Sequence, residues 1–280
     1  MLKRVVFILE KDNWQTEINA LCKDIAIHKA ETAAYGVQDI LNVEIETNNS
    51  LYITDNAACQ KYLQENGVPV IVHLHELNRT EQFSRAEYAI ERISEVEYNS
   101  LELAYLRLTG QPWNILTTDR CIIRETTVED ADSFYDIYKE SSITYYMEGL
   151  YEDKAAETAY IQDYIKNIYG FYGYGMWSVL EKDSRKVIGR AGISWREGFD
   201  IPELGFVIAV PYQHQGYAYE ACRAILDYAV TELGFTNIQA LVMKENKKSK
   251  ALCQRLGFKH YSQIILDDTE YERLLFTVVG

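Results

Sequence analysis

The chain has 280 residues, 48% hydrophobic and 25% charged, which is the composition of an ordinary globular protein longer than one average domain. Its net charge of −14 is evenly spread: residues 1–118 contain 10 basic and 17 acidic residues, and residues 119–280 contain 18 basic and 25 acidic residues. Such a surface repels nucleic acid and favours cationic or amine partners. Five scattered cysteines without a CxxC pair argue against a disulfide framework or a zinc site.

The apolar run near the N-terminus, Val5 to Leu9, is too short for a signal-peptide core or a membrane span. We therefore expect a cytoplasmic protein that binds neither a metal nor a membrane. The sequence leaves the oligomeric state open, with a homodimer as the commonest arrangement among soluble oligomers.

The stretch TGQPWNILTTDR, residues 109–120, combines glycine and proline with polar residues and has no sustained hydrophobic period. Such a stretch is typical of a linker, so we place the domain boundary there. We predict a small α/β domain of unknown role in residues 1–115 and a second domain in residues 119–280.

Within the first domain, SLYITD (50–55) and VPVIVHL (68–74) are predicted strands, and the segment between them is a predicted helix that closes at Gly67. This order predicts a parallel strand-helix-strand unit. Ligands of such sheets gather at the carboxyl ends of the strands, which nominates Asp55, His75 and Glu76 as site residues. The alternative is structural: a helix N-cap for Asp55 and packing for the histidine.

This unit resembles a fragment of the haloacid dehalogenase-like hydrolases. It departs from them at the nucleophile motif, because Asp55 is followed by Asn56 and Ala57 and no DxD sequence is present. A hydrolase-like function of residues 1–115 is therefore an alternative that the sequence leaves open.

In the second half, CIIRETT (121–127) is a predicted strand that runs into a helix start, where Thr127 and Asp130 have the spacing of a capping box. MWSVLEKDSRKVIGRAGIS (176–194) predicts a hairpin and ELGFVIAV (203–210) a further strand. The helix that follows carries a continuous apolar stripe.

The loop between that strand and that helix has the sequence Gln213-His214-Gln215-Gly216-Tyr217-Ala218. Backbone N–H groups at a helix N-terminus have no intrahelical partner, and the helix dipole adds about half a positive charge there. Small residues at 216 and 218 let a ligand approach the main chain. The loop is thus a candidate site for a pyrophosphate.

Three motifs occur in order: ELGF, QHQGYAYEA and NKKSKALCQRLGF. Together they make residues 119–265 resemble the GNAT superfamily of acyl-CoA-dependent N-acyltransferases, in particular the branch of ribosomal-protein N-terminal acetyltransferases. The resemblance implies a GNAT fold, with a mixed, mostly antiparallel central sheet flanked by helices, and acetyl-CoA as co-substrate. The residues that it assigns to the cofactor are Ile208, Ala209 and Val210 along the pantetheine arm, and Gln213, His214, Gln215, Gly216, Tyr217 and Ala218 around the pyrophosphate, with Asn246 nearby.

For chemistry, the resemblance implies that Glu203 removes a proton from the amine, directly or through water. An amine with a pKa near 10.4 is about 4.6 kcal/mol from deprotonation at pH 7, so a base or desolvation of the amine is needed. Many relatives protonate the departing thiolate with a tyrosine whose position is Cys253 here. Ser249 then becomes the candidate acid, with Asn246 orienting it or a water, and helix capping by Asn246 or Ser249 is the alternative.

These residues predict an N-acetyltransferase that transfers an acetyl group directly to a primary amine, either a protein N-terminus or a small amine. The competing hypothesis is a sensor module that binds acyl-CoA without turnover, because the tyrosine is missing and the loop lacks the Arg or Lys that relatives often carry.

Overall fold

The computed structural model describes residues 1–10, 15–42 and 44–278. The chain divides into two compact units, Met1–Trp113 and Asn114–Gly280. Each unit has its own sheet and its own buried apolar cluster.

The first unit is built on a five-stranded sheet in the order β2-β1-β3-β4-β5, in which every described neighbouring pair is parallel. The chain order reverses between β1 and β3, the position at which open parallel sheets commonly bind ligands. Its elements are β1 (Arg4–Leu9), α1 (Gln15–Ile27), β2 (Glu31–Gly36), β3 (Ser50–Thr54), α2 (Ala57–Glu65), β4 (Val70–His73), β5 (Ala89–Ile90) and α3 (Tyr98–Leu108), with short 3-10 turns at Val37–Asn42 and Ile93–Glu95.

The predicted strand-helix-strand unit is confirmed: β3 and β4 pair in parallel around α2. Asn56, rather than Asp55, caps the helix, because its side chain accepts a hydrogen bond from the Cys59 amide. The chain leaves α2 through Gly67, whose φ of +70° is the left-handed conformation that glycine adopts at little cost.

The second unit contains an eight-stranded mixed sheet in the order β12-β13-β11-β10-β9-β8-β7-β6, in which β10 and β11 are parallel and the other described pairs are antiparallel. The strands are β6 (Asn114–Thr117), β7 (Cys121–Arg124), β8 (Met176–Glu181), β9 (Val187–Ser194), β10 (Glu203–Ile208), β11 (Asn237–Met243), β12 (Lys259–Leu266) and β13 (Thr269–Thr277). The helices are α4 (Ala131–Tyr138), α5 (Ser141–Thr144), α6 (Lys154–Tyr164), α7 (Gly170–Tyr172), α8 (Tyr217–Thr231) and α9 (Lys247–Arg255).

The two faces of this sheet bury different helices. On one face the apolar stripe of α8, including Ala221 and Ile225, packs with Trp177 in the larger core cluster. On the other face α4 and α6 pack through Phe134 and Ile161 in a second cluster that includes Val207 of β10. The predicted capping box at Thr127 and Asp130 is present where the chain turns towards α4.

The predicted boundary stretch 109–120 contains a strand that the sequence analysis did not identify. Residues Asn114–Thr117 form β6, which pairs in an antiparallel manner with β7 across a turn. The apolar pair Ile115-Leu116 is too short to indicate a strand in the sequence. The strand forms because the edge of β7 is available for pairing. The hairpin predicted in 176–194 is confirmed as β8 and β9.

Candidate acyl-CoA site

The loop between β10 and α8 presents a row of backbone amides. Gly216, the residue before α8, has a φ of +88°, and His214 also lies in the left-handed region at +60°. The amides of residues 214–218 donate to no partner among the described residues. Because these amides precede or open a 15-residue helix, the positive end of its dipole reinforces them. The arrangement suits an anion with several acceptor oxygens.

The two glutamines of the loop hold its shape. The Gln213 side chain donates to the Ile208 carbonyl at 2.9 Å, and the Gln215 side chain donates to the Pro211 carbonyl at 2.7 Å. The Gln213 amide differs from the sequence expectation, because it donates to the Val210 carbonyl inside a 3-10 turn at Val210–Tyr212. The available amides therefore begin at His214.

Arg120, which the sequence analysis did not select, ties this loop to the start of β7. Its guanidinium donates to the Gln215 carbonyl at 2.9 Å and to Glu220 of α8 at 2.7 Å, and it lies over the Tyr217 ring. The Thr118 hydroxyl also donates to Glu220. No sequence signal marked this arginine, because it lies in the predicted linker, about a hundred residues before its partners.

The strands β10 and β11 separate almost as soon as they meet. Their parallel pairing is limited to Glu203 opposite Gln239, whereas β10 keeps its pairing with β9 throughout its length. The Ala209 amide still donates to the Ile188 carbonyl of β9. In an antiparallel ladder, successive residues direct their N–H and C=O groups to opposite sides of the strand, so those of Phe206 and Ile208 point towards the gap between β10 and β11. An extended amide-bearing ligand could pair with this free edge.

The free edge is displaced from the stretch expected from the sequence, Ile208 to Val210. The Ala209 amide is used by β9, and Val210 begins the 3-10 turn that contains Pro211. Phe206 and Ile208 are instead the residues whose backbone faces the gap. Pro211 explains the early end of the strand, because proline lacks the N–H that a ladder needs.

Glu203 stands at the point where the two strands diverge. The residue is 8% exposed, and its carboxylate is held by Arg196 through hydrogen bonds of 2.6 and 3.2 Å. The hydrogen bond with Glu203 raises the pKa of Arg196 above its ordinary value. The ion pair with Arg196 does not exclude a role for Glu203 beside the reacting amine. A positively charged amine would approach the same carboxylate.

Asn246 and Ser249 form a helix cap at the start of α9. The Asn246 side-chain oxygen accepts a hydrogen bond of 3.1 Å from the Ser249 backbone amide. Asn246 therefore orients the main chain of Ser249 and not its hydroxyl. This is the helix-capping role that the sequence analysis gave as the alternative. The Ser249 hydroxyl makes no hydrogen bond within the described part of the chain.

Cys253 lies one helical turn beyond Ser249 and is fully buried in the larger core cluster. Burial raises the pKa of its thiol to about 12, so the sulfur stays protonated and shielded at neutral pH. It contributes packing at the position where many relatives place a tyrosine.

The stretch KENKKSK at 244–250 contains four lysines, two of which are neutralised by acidic partners. Lys244 and Lys250 form ion pairs with Glu270 and Glu272 of β13. Lys247 and Lys248 are exposed and form no ion pair with the described residues, so they are the two cations of the run that could contact a phosphate.

In the first unit, Asp55 and His75 come together as predicted for strand ends, but Glu76 is exposed and has no described contact. Asp55 is 1% exposed; one carboxylate oxygen accepts from the Glu10 amide, and the other lies 3.4 Å from His75 Nε2. Burial raises the pKa of Asp55, an effect that the Glu10 amide opposes. These contacts leave Asp55 poorly placed as a nucleophile.

The N-terminus of α2, beside Asp55, is also used internally. Asn56 caps the Cys59 amide, and the Ala57 amide donates to the Glu81 carboxylate at 3.0 Å. An anion would have to displace Glu81 there. The likeness of residues 1–115 to hydrolases stays a hypothesis, without support from these contacts.

Residues 1–10, 15–42 and 44–278 contain no group of three His, Cys, Asp or Glu side chains that could hold a metal ion. The same residues include no helix with the length and apolar character of a membrane span.

The fold and the loop are those of an acetyltransferase. Residues 120–259 match the acetyltransferase (GNAT) domain family, and the chain belongs to this family of N-acetyltransferases. It is 32% identical to YkkB of Bacillus subtilis over 155 residues, covering 54% of this chain and 87% of that protein. It is 29% identical over 154 residues to the [ribosomal protein uS5]-alanine N-acetyltransferase of Escherichia coli, covering 51% and 77%.

Solved structures agree on the fold. An acetyltransferase from Agrobacterium tumefaciens aligns with a TM-score of 0.51 and 23% identity, over 58% of this chain and 94% of its own. A ribosomal L7/L12 alpha-N-protein acetyltransferase in complex with coenzyme A aligns with the same TM-score and 11% identity, over 59% and 98%.

Proposed function

We propose that this protein transfers the acetyl group of acetyl-CoA directly to a primary amine, which is a protein N-terminus or a small amine. The observation that carries the proposal is the row of amides at 214–218, which have no partner among the described residues, at the N-terminus of α8. The relative that acts on ribosomal protein uS5 supports an amine acceptor, and the relative of known structure that contains coenzyme A supports the donor.

In the proposed complex the donor lies between β10 and β11. The pyrophosphate accepts hydrogen bonds from the amides of residues 214–218, and the pantetheine arm pairs with the main chain of Phe206 and with the Ile208 amide, since the Ile208 carbonyl accepts from Gln213. Gln213 and Gln215 act by fixing the loop, and Arg120 holds it against β7. Lys247 and Lys248 offer additional positive charge.

The reaction then needs a base and an acid. Glu203, held by Arg196, accepts the proton that the amine loses, directly or through one water. The amine nitrogen bonds to the thioester carbon, the C–S bond breaks, and the thiolate of CoA takes a proton either from water or from the Ser249 hydroxyl, which regains one from water at the same time. Direct transfer uses no covalent enzyme intermediate, which agrees with the buried, protonated state of Cys253.

Calorimetry with CoA and a thiol-release assay with a panel of amines test this proposal together. We expect binding of CoA and acetyl-CoA, and thiol release that depends on an amine. Absence of binding at millimolar CoA would contradict the proposal. Binding without thiol release for any amine in the panel would favour the sensor alternative, which the loss of the tyrosine at Cys253 supports.

A further inference from the structure

A charged side chain lies buried in the second unit without a carboxylate partner. Arg190 of β9 is 9% exposed, its Nε atom has no hydrogen-bond partner among the described residues, and it belongs to none of the described ion pairs. Its guanidinium carbon lies 4.7 Å from the centre of the Phe134 ring. An unpaired buried charge is expensive, so a guanidinium retained in such a place requires an explanation.

The surroundings of Arg190 are aromatic. The phenol groups of Tyr138 on α4, of Tyr169, and of Tyr164 and Tyr160 on α6 are near enough to interact with it electrostatically. Burial lowers the pKa of Arg190 and the neighbouring tyrosines raise it, with a net rise, so the guanidinium is charged at neutral pH. Tyr160 is 43% exposed, which places this cluster just beneath the surface.

Arg190 shares a face of the sheet with Glu203. In the pairing of β9 with β10, Arg190 stands opposite Val207 and Ser194 stands opposite Glu203. Side chains four residues apart on a regular strand point to the same face, about 13 Å apart along the strand. This is the face covered by α4 and α6, because Val207 packs in their cluster.

The surface between the two charged groups is apolar. The intervening pair of residues is Gly192 opposite Gly205, and Met176 of β8 lies against both glycines, with its sulfur 3.0 Å from the position that a Cβ atom on Gly205 would take. Methionine is flexible and adapts to the shape of a bound group. In order along this face lie the Glu203 carboxylate with its partner Arg196, the apolar Met176 and the Arg190 cation.

We propose that Arg190 binds a carboxylate of the acceptor, so that this enzyme acetylates an amine that also carries an acidic group. This inference rests on the proposed function. The guanidinium fork matches a carboxylate in two parallel hydrogen bonds, and phenol hydroxyls can donate to the same oxygens. The separation from Glu203 requires an amine and a carboxylate on different carbons, as in the side-chain amine of lysine or a peptide N-terminus followed by an acidic residue.

One buried acid in the same cluster is the competing partner. Glu157 of α6 accepts a hydrogen bond from the Tyr151 amide through one oxygen, and its Oε1 atom has no partner among the described residues. No described ion pair joins it to Arg190. If Glu157 were the true partner, Arg190→Met and Glu157→Gln would each destabilise the protein.

The test uses full-length protein, acetyl-CoA and matched pairs of amines. One pair is lysine and 1,5-diaminopentane, which differ by the carboxylate; the other is a blocked-C-terminus Ala-Glu peptide and its Ala-Gln counterpart. We expect the acidic member of at least one pair to have a kcat/KM about tenfold or more above the neutral member, the effect of one charged hydrogen bond. Arg190→Met should remove that preference and leave the neutral member within about threefold.

Arg223→Met is the matched control, because Arg223 is exposed on α8 and pairs with Asp227. It should leave the preference unchanged. A wild-type enzyme that favours the neutral member of both pairs, or an Arg190→Met variant that keeps the wild-type ratio, would overturn the inference. The proposed function would survive either result, because the neutral amines would still release thiol.

A second readout does not depend on turnover. Glutarate should raise the Tm of the wild-type protein relative to sodium chloride of equal ionic strength, and should not raise that of Arg190→Met. Without added anion, Arg190→Met should melt at or above the wild-type Tm, because the variant no longer buries an unpaired charge. A lower Tm for both Arg190→Met and Glu157→Gln, with no glutarate effect in the wild type, would assign Arg190 to Glu157 and refute the proposal.

Discussion

Gly216 gives the sharpest test of the amide row. Its φ of +88° lies in the left-handed region, and a Cβ atom there would come within 3.2 Å of Arg120 Nη2. Arg120 has little freedom to withdraw, because it is bonded to Gln215 and Glu220. Gly216→Ala therefore forces a choice between a strained loop and a rearranged one.

The two outcomes have different magnitudes. Keeping the left-handed backbone costs an alanine about 1–2 kcal/mol of folding free energy. Rotating to a negative φ relieves that strain but turns the amides of Gly216 and Tyr217 away from the ligand, and each hydrogen bond to a charged group is worth about 1.5–3 kcal/mol. Loss of one such bond weakens CoA binding by roughly tenfold or more.

Gly234→Ala is the matched control, since Gly234 has a φ of +71° and no atom within 4 Å of its Cβ position. Thermal unfolding should show a similar loss of stability in both variants. Calorimetry should show a Kd for CoA raised about tenfold or more in Gly216→Ala alone. If the two variants bind CoA within twofold of each other, the backbone at 216 does not shape the site and the reasoning is refuted.

Three further predictions concern the reacting end of the site. Glu203→Gln should lower kcat about 100-fold or more while the Kd for CoA stays within twofold, measured by thiol release and calorimetry; an unchanged kcat would remove Glu203 as the base. Asn246→Ala should lower the free energy of unfolding by about 1 kcal/mol through loss of the cap, whereas Ser249→Ala should spare stability and lower kcat; equal stability losses in denaturant titrations would contradict this division. Cys253→Ala should destabilise the protein by about 1–2 kcal/mol and retain kcat, and a loss of kcat larger than tenfold in the folded variant would show that the thiol takes part in the reaction.

The sequence predicted the elements that have strong local signals. The alternation in 176–194 and the stripe of α8 fixed their type and place, because period 2 and period 3.6 patterns report which faces are buried. The loop at 213–218 was recognisable because a strand precedes it and a helix follows it. Its glycine in the left-handed region is a local property that the residue type itself suggests.

Contacts between distant segments could not be predicted in this way. Arg120 reaches Glu220 across 100 residues, and Arg196 occupies Glu203 from the connection that precedes β10. No periodicity reports such pairs, since they depend on the completed sheet. The shift of the free strand edge to Phe206 and Ile208 has the same origin, because pairing with β9 decides which main-chain groups remain available.

The strands β10 and β11 meet at one residue pair, which has a consequence for the stability of the fold. Five strands of the sheet lie on the β10 side of this pair and three on the β11 side. A donor bound in the gap would contact both parts and stabilise their association. A ligand present at 100 times its Kd adds about 2.7 kcal/mol to the free energy of unfolding. If acetyl-CoA fills the gap as proposed, the stability of the folded protein would rise with the concentration of acetyl-CoA.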